Sequence, residues 1–238
     1  MQNRKRVRRR LHGLAALCLL FGACARDPQD AIGRIYAWKA QPTDRNVAKI
    51  RSYLADPDRD VRATSLHALV SLAVQDAAAI SLSALGDGDG FVRATAARCL
   101  GELREASAAA PLGERLASDP DWHVRRLAAE ALAAIGGAEA VAALVLALED
   151  PVRSVRLAAV AGAGELDPEA AFDVLARIVL DDPDWEVRVQ AARAIGRSKR
   201  PEALPTLEAA QKDPNEFVRA AASAALAGLP PPSSPVQE

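Results

Sequence analysis

The chain has 238 residues, half of them hydrophobic but only 4% aromatic, and its formal net charge is −1. That length admits one elongated domain or at most two compact ones, and an apolar content carried largely by alanine favours packed helices over sheet. Six Lys and Arg fall in the first ten residues, MQNRKRVRRR, leaving 24 basic against 31 acidic residues; that dispersed balance of −7 argues against nucleic acid as the main ligand, which needs concentrated positive charge.

In chain order, the basic start is followed by the 13-residue apolar run LHGLAALCLLFGA and then Cys24. A basic region, a short apolar stretch and small residues before the cysteine match a secretory signal over residues 1–23. The run is too short to span a bilayer comfortably. LFGAC resembles the bacterial lipobox, with Cys24 as the lipidated residue; Phe21 stands where the pattern has Leu, Val or Ile. The resemblance implies cleavage before Cys24 and a lipid that holds the protein on a membrane. Cleavage after Ala25 would instead release a soluble protein, and an uncleaved basic arm is a further alternative. Residues 24–45 read as an anchor, a short linker and a capping helix, with Ile32, Ile35, Tyr36 and Trp38 along one face. Of the three cysteines only Cys99 lies beyond the signal and anchor, so no internal disulfide is available.

From residue 46 to 229 the sequence repeats. Val-Arg recurs at 61–62, 92–93, 124–125, 155–156, 187–188 and 218–219, in steps that alternate between 31 and 32. Five residues before each Val stands an Asp: Asp56, Asp87, Asp119, Asp150, Asp182 and Asp213. Proline follows five of the six, with Gly88 the exception. Each unit reads as an apolar-periodic run, an Asp-Pro break and a second run. Proline ends the first helix, and the Asp is expected to N-cap the second. Two helices per unit, six times over, predict an all-α solenoid. Counted from Val, positions +4, +7 and +8 form one helical face. Small residues fill the +4 and +7 columns, Cys99 among them, which makes it a core residue. PPPSSPVQE closes the chain as a Pro-rich tail expected to lack order.

These residues carry a family resemblance. Asp followed by Val-Arg, with a proline eight before the Asp at Pro111 and Pro205, is similar to the HEAT repeat, and DPDxxVRxxAAxAL looks most like its bilin-lyase-type branch. The resemblance implies that the six aspartates and Arg62, Arg93, Arg125, Arg156, Arg188 and Arg219 form a structural hydrogen-bonded ladder between repeats. It is not a catalytic array.

Little else carries chemistry. DGDG at 87–90 imitates a calcium loop, but its twelfth position is Arg98. His67 and His123 belong to no His-Glu pair, so the iron chemistry of HEAT-like deoxyhypusine hydroxylases is unsupported. No cofactor, metal set or catalytic residue is expected. The outward positions of the second helices mix Arg98, Arg126 and Arg193 with Glu130, His67 and alanines, which is wrong for a phosphate track. The ladder does not explain Trp122 and Trp185, or Phe91 and Phe217 one position later in other repeats. These four rings are expected along one edge, either covering the neighbouring turn or anchoring a partner. The sequence therefore reads as an exported, lipid-anchored, non-enzymatic scaffold for an unidentified protein of the bacterial envelope. Trp122, Trp185, Phe91, Phe217 and Arg126 are its candidate contacts. A bilin-lyase-like or other small-ligand enzyme using the concave groove is the alternative, with nucleic-acid binding behind it.

Overall fold

The computed structural model describes residues 27–230. The signal segment, Cys24 and most of the Pro-rich tail lie outside the described residues. Thirteen α-helices account for the described chain. α1 (Pro28–Ala40) precedes six pairs: α2 (Asp44–Ser52) with α3 (Arg59–Ser71), α4 (Ala77–Ala84) with α5 (Gly90–Leu103), and α6 (Ala109–Ser118) with α7 (Trp122–Ile135). The series continues with α8 (Ala138–Ala147) and α9 (Arg153–Leu166), α10 (Phe172–Asp181) and α11 (Trp185–Ser198), and α12 (Ala203–Ala210) and α13 (Glu216–Ala227). Each second helix packs on the second helix before and after it, so the stack grows in one direction as an α-α solenoid.

The turn between paired helices follows from its own residues. The Asp carboxylate bends back onto the N–H two residues on, as Asp119 does onto Asp121 at 3.0 Å and Asp182 onto Asp184 at 2.8 Å. It is thus a turn residue and not the N-cap of the second helix. Capping falls to the next polar residue but one, which stands immediately before the helix: Asp58, Asp89, Asp121, Asp184 and Asn215 accept N–H bonds from the first turn. Val152 holds that place in the fourth repeat and makes no side-chain cap.

With its carboxylate fixed this way, each Asp receives a guanidinium from the preceding repeat. Arg62 bonds Asp87 through two nitrogens at 2.9 and 2.8 Å. Arg93 bonds Asp119 at 2.7 and 2.8 Å, and Arg125 bonds Asp150 at 2.7 and 3.1 Å. Arg156 and Arg188 repeat the fork on Asp182 and Asp213. The remaining nitrogen of each arginine donates to the carbonyl of its own repeat's Asp, as Arg93 does to Asp87 at 2.9 Å. Every rung therefore ties three points: one turn, the next turn and the helix between. Partners sit only 25 or 26 residues apart in sequence. The ends differ. Among the described residues the Asp56 carboxylate accepts only the Asp58 N–H, and Arg219 donates to the Asp213 and Pro214 carbonyls of its own turn.

The interior of the ladder is buried. Asp119 is 2% exposed. Burial pushes its carboxyl up, but the Arg93 fork, the Asp121 N–H and nearby arginine charge outweigh that and hold it below the usual value of 3.8. Asp87, gripped by Arg62, is also lowered, and so is Asp213, where burial is outweighed by Arg188.

Close approach of the second helices sets the rest of the core. At four successive junctions, position +9 of one second helix meets position +7 of the next, and one member of the pair is glycine. A Cβ on Gly101 would lie 2.8 Å from Ala131 Cα, and one on Gly196 would lie 2.7 Å from Ala225 Cβ. Gly164 faces Ala194 in the same way, and Gly162 faces Ala133 with the roles reversed. At the first junction the positions hold Val70 and Cys99; Cys99 is fully buried, and burial pushes its thiol up to about 12.

The N-terminal helix differs in one detail from its expected face. α1 buries Ala31 and Ile35 against the first repeat, with Ile32 and Trp38 packed beside them, but Tyr36 is 59% exposed. The buried stripe follows the i, i+4 pair, and Tyr36 lies one residue, about 100°, off it. Trp38 instead stacks on Tyr53, ring centres 5.8 Å apart.

Three outcomes follow. Arg93→Met takes the fork from a buried carboxylate and leaves it only Arg115 at 3.6 Å and the Asp121 N–H, and it is expected to lower unfolding stability by about 3 kcal/mol at neutral pH in urea titration. Because the Asp87, Asp119 and Asp213 carboxyls are depressed, the stability they contribute is present above the unfolded range near pH 4 and is lost as pH falls through their lower folded values; melting temperature is expected to fall steeply below about pH 4 in the parent and less in the variant. Gly196→Ala is expected to cost about 1–3 kcal/mol by overpacking. Gly113→Ala, whose new Cβ would stand 3.4 Å from Ala143 Cβ, serves as the tolerant control.

Candidate functional site

The turns that bind the ladder also present the first residues of each second helix along one edge of the stack. The rings named from the sequence all lie there: Phe91 is 50% exposed, Trp122 38%, Trp185 37% and Phe217 55%. The structure joins two of them. Trp185 stacks on Phe217 of the next repeat with ring centres 5.2 Å apart, while Trp122 stacks on its own neighbour His123 at 3.5 Å. Arg126 does not join them. It lies half-buried in α7 and pairs with Glu130 one turn on.

A second, outer row of contacts runs beside the ladder. It was not anticipated, although Arg59 and Arg153 occupy the same repeat position as the tryptophans. The first residue of a second helix leans toward the N-cap of the next repeat. Arg59 lies 3.6 Å from Asp89, with its guanidinium 5.8 Å from the Phe91 ring centre. Arg153 lies 2.6 Å from Asp184 and also pairs with Glu186. Burial pushes the Asp184 carboxyl up, but the Arg153 bond and the Glu186 N–H hold it below the ordinary value. The signal available in sequence was the pairing of Arg with an Asp 30 or 31 residues later, hidden because only two junctions show it.

Between repeats 2 and 3 this edge opens into a depression of about 580 Å³ whose walls carry Phe91 and Leu127, the carboxylates Asp89 and Asp121 and the cations Arg59 and Arg98, with Gly90 and His123 beside them. Asp89 and Asp121, the carboxylates on it, cap α5 and α7 through the N–H groups of Phe91 and His123. The DGDG stretch is therefore one ladder aspartate and one cap. Ala63 and Ala94, expected to face outward, are buried at 4% and 5%, because neighbouring second helices approach closely enough to cover them. Among the described residues no three His, Cys, Asp or Glu side chains gather as a metal would need, and no helix is long and apolar enough to cross a membrane.

The model for HEAT repeats matches at residues 47–133, 82–159, 110–188 and 141–227. The chain belongs to the HEAT-repeat family. No curated protein matches it. Among solved structures, an engineered protein is similar at 22% identity and TM-score 0.55, over 77% of this chain and 96% of its own. The YibA protein of Escherichia coli is similar at 22% identity and TM-score 0.57, over 82% and 73%. A designed armadillo repeat protein, solved in complex with the peptide (KR)4, is similar at 22% identity and TM-score 0.55, over 86% and 100%. These likenesses carry the helical-repeat fold and nothing beyond it.

If the stacked rings at the C-terminal end act as a unit, a double-mutant cycle of Trp185→Leu and Phe217→Leu is expected to give a coupling of about 0.5–1.5 kcal/mol in chemical denaturation. The exposed Arg153 pairs are expected to contribute less, about 0–1 kcal/mol.

Proposed function

We propose that this HEAT-repeat protein is a binding scaffold of the bacterial cell envelope, exported by its N-terminal segment and held on a membrane by lipid on Cys24. The observation that carries the scaffold reading is the aromatic edge. Phe91, Trp122, Trp185 and Phe217 keep between 37% and 55% of their surface open, all on one side of a rigid stack, although the ladder and the close helix packing need none of them. Exposed Trp and Phe set in a polar rim are the residues from which interface anchors are made. The repeats supply a fixed spacing between them, so a partner that touches several rings loses little freedom in the scaffold on binding. Export and anchoring are supported by the basic, apolar and cysteine-terminated order of residues 1–24.

The test is affinity capture of the tagged full-length protein from detergent-solubilised envelopes, beside a Trp122→Ala/Trp185→Ala form shown by circular dichroism to be folded. A partner retained by the parent and lost from the variant is expected. Equal capture by both would remove the tryptophans from the interface. For the anchor, Cys24→Ser is expected to abolish incorporation of radiolabelled palmitate and to move the protein from the membrane to the soluble fraction; unchanged labelling would overturn it.

A further inference from the structure

The outer row obeys a rule with one break in it. Where the next repeat's N-cap is an aspartate, the preceding second helix starts with an arginine that reaches it: Arg59 for Asp89 and Arg153 for Asp184. Where the next N-cap is uncharged, Val152 or Asn215, the helix before it starts with Trp122 or Trp185. Between repeats 2 and 3 the N-cap is Asp121, yet the helix before it starts with Gly90. The missing stem leaves the depression of about 580 Å³ described above. Asp121 leans into it, since its carboxylate occupies the place that a Cβ on Gly90 would need. One carboxylate oxygen, Oδ1, takes the His123 backbone N–H at 2.9 Å and lies 3.3 Å from the His123 ring nitrogen Nδ1. The other, Oδ2, is the atom nearest that Cβ position and so is turned toward the space over Gly90.

The neighbouring cations are already engaged. Arg59 lies against Asp60 and Asp89, Arg98 lies 3.8 Å from Glu102, and the ladder arginines Arg93 and Arg125 hold Asp119 and Asp150. Asp121 is thus the one N-cap aspartate that follows another repeat without receiving an arginine from it among the described residues. Phe91, half exposed, stands on the same depression and already accepts a guanidinium from Arg59 at 5.8 Å.

We propose that this depression is a socket for an arginine side chain supplied by the partner protein. The guanidinium would pair with Asp121 Oδ2 while its stem and plane lie along Phe91 and Leu127, as Arg59 lies between Asp89 and Phe91 at the junction before it. Guanidinium suits the place better than ammonium, because a planar cation pairs with a carboxylate and packs on a ring at once. The inference rests on reading this edge as the partner-binding surface, and it names one chemical group that the partner must present there.

Nα-acetylarginine amide is the probe, titrated into the ¹⁵N-labelled protein, with the uncharged near-isostere Nα-acetylcitrulline amide beside it. Saturating shifts of the Gly90, Phe91 and His123 amides are expected with arginine and not with citrulline. Asp121→Asn, which keeps a good N-cap, is expected to weaken binding about tenfold or more. Gly90→Arg, whose Cβ displaces the Asp121 carboxylate and whose guanidinium competes for it, is expected to abolish the shifts. No shift with arginine, equal shifts with citrulline, or unchanged binding in Asp121→Asn would overturn the socket. The scaffold reading is scored separately. If a captured envelope partner depends on Trp122 and Trp185 yet survives Asp121→Asn and Gly90→Arg unchanged, the scaffold stands and the socket falls.

Discussion

The rest of the structure depends on one bond, the fork between an arginine in one repeat and a turn aspartate in the next. A solenoid has no central core to choose its register, because each repeat touches only its neighbours. Apolar packing alone tolerates sliding and rotation between stacked helices. The fork does not: both guanidinium nitrogens must meet both carboxylate oxygens, while the third nitrogen holds the carbonyl of its own turn. Burying such a group without its partner is costly, so the alternatives to correct register are penalised more than the correct register is favoured.

Register fixed in this way lets the second constraint operate. At four of the five junctions the second helices come close enough for backbone to meet side chain because the same small pair recurs there. Glycine moves from one side of the pair to the other, Gly101 against Ala131 and then Gly162 against Ala133, without changing the sum of the two. Both constraints are satisfied inside the stack. The edge where the second helices begin is left free of them, which is why residues as different as Arg, Gly, Trp and Glu occupy equivalent positions there.

Much of this was legible in the sequence. Six Val-Arg pairs at steps of 31 and 32 give the repeat number, the helix pairing and the direction of stacking, because spacing survives where identity does not. The +7 column of small residues was visible for the same reason. Its partner at +9 was not, since Gly, Ala and Val share that column and only the facing helix shows what they have in common. The N-cap was placed two residues early: Asp-Pro is the louder signal, whereas the cap alternates among Asp, Asn and Val. At the edge, sequence gave the rings but not their relations. That Trp185 rests on Phe217 while Trp122 rests on His123 depends on rotamers that no periodicity encodes.

The short reach of the ladder has a mechanical meaning. Each rung closes a loop of 25 or 26 residues, and no rung ties one end of the protein to the other. Contacts this local make for fast assembly and for unfolding by peeling from the ends. Among the described residues the two ends are not alike, because α1 covers the first repeat whereas Arg219 closes only on carbonyls of its own turn. Tension applied along the stack would therefore be expected to unzip the C-terminal repeat first and to yield one repeat at a time, so that the molecule behaves as a spring whose coils release in order.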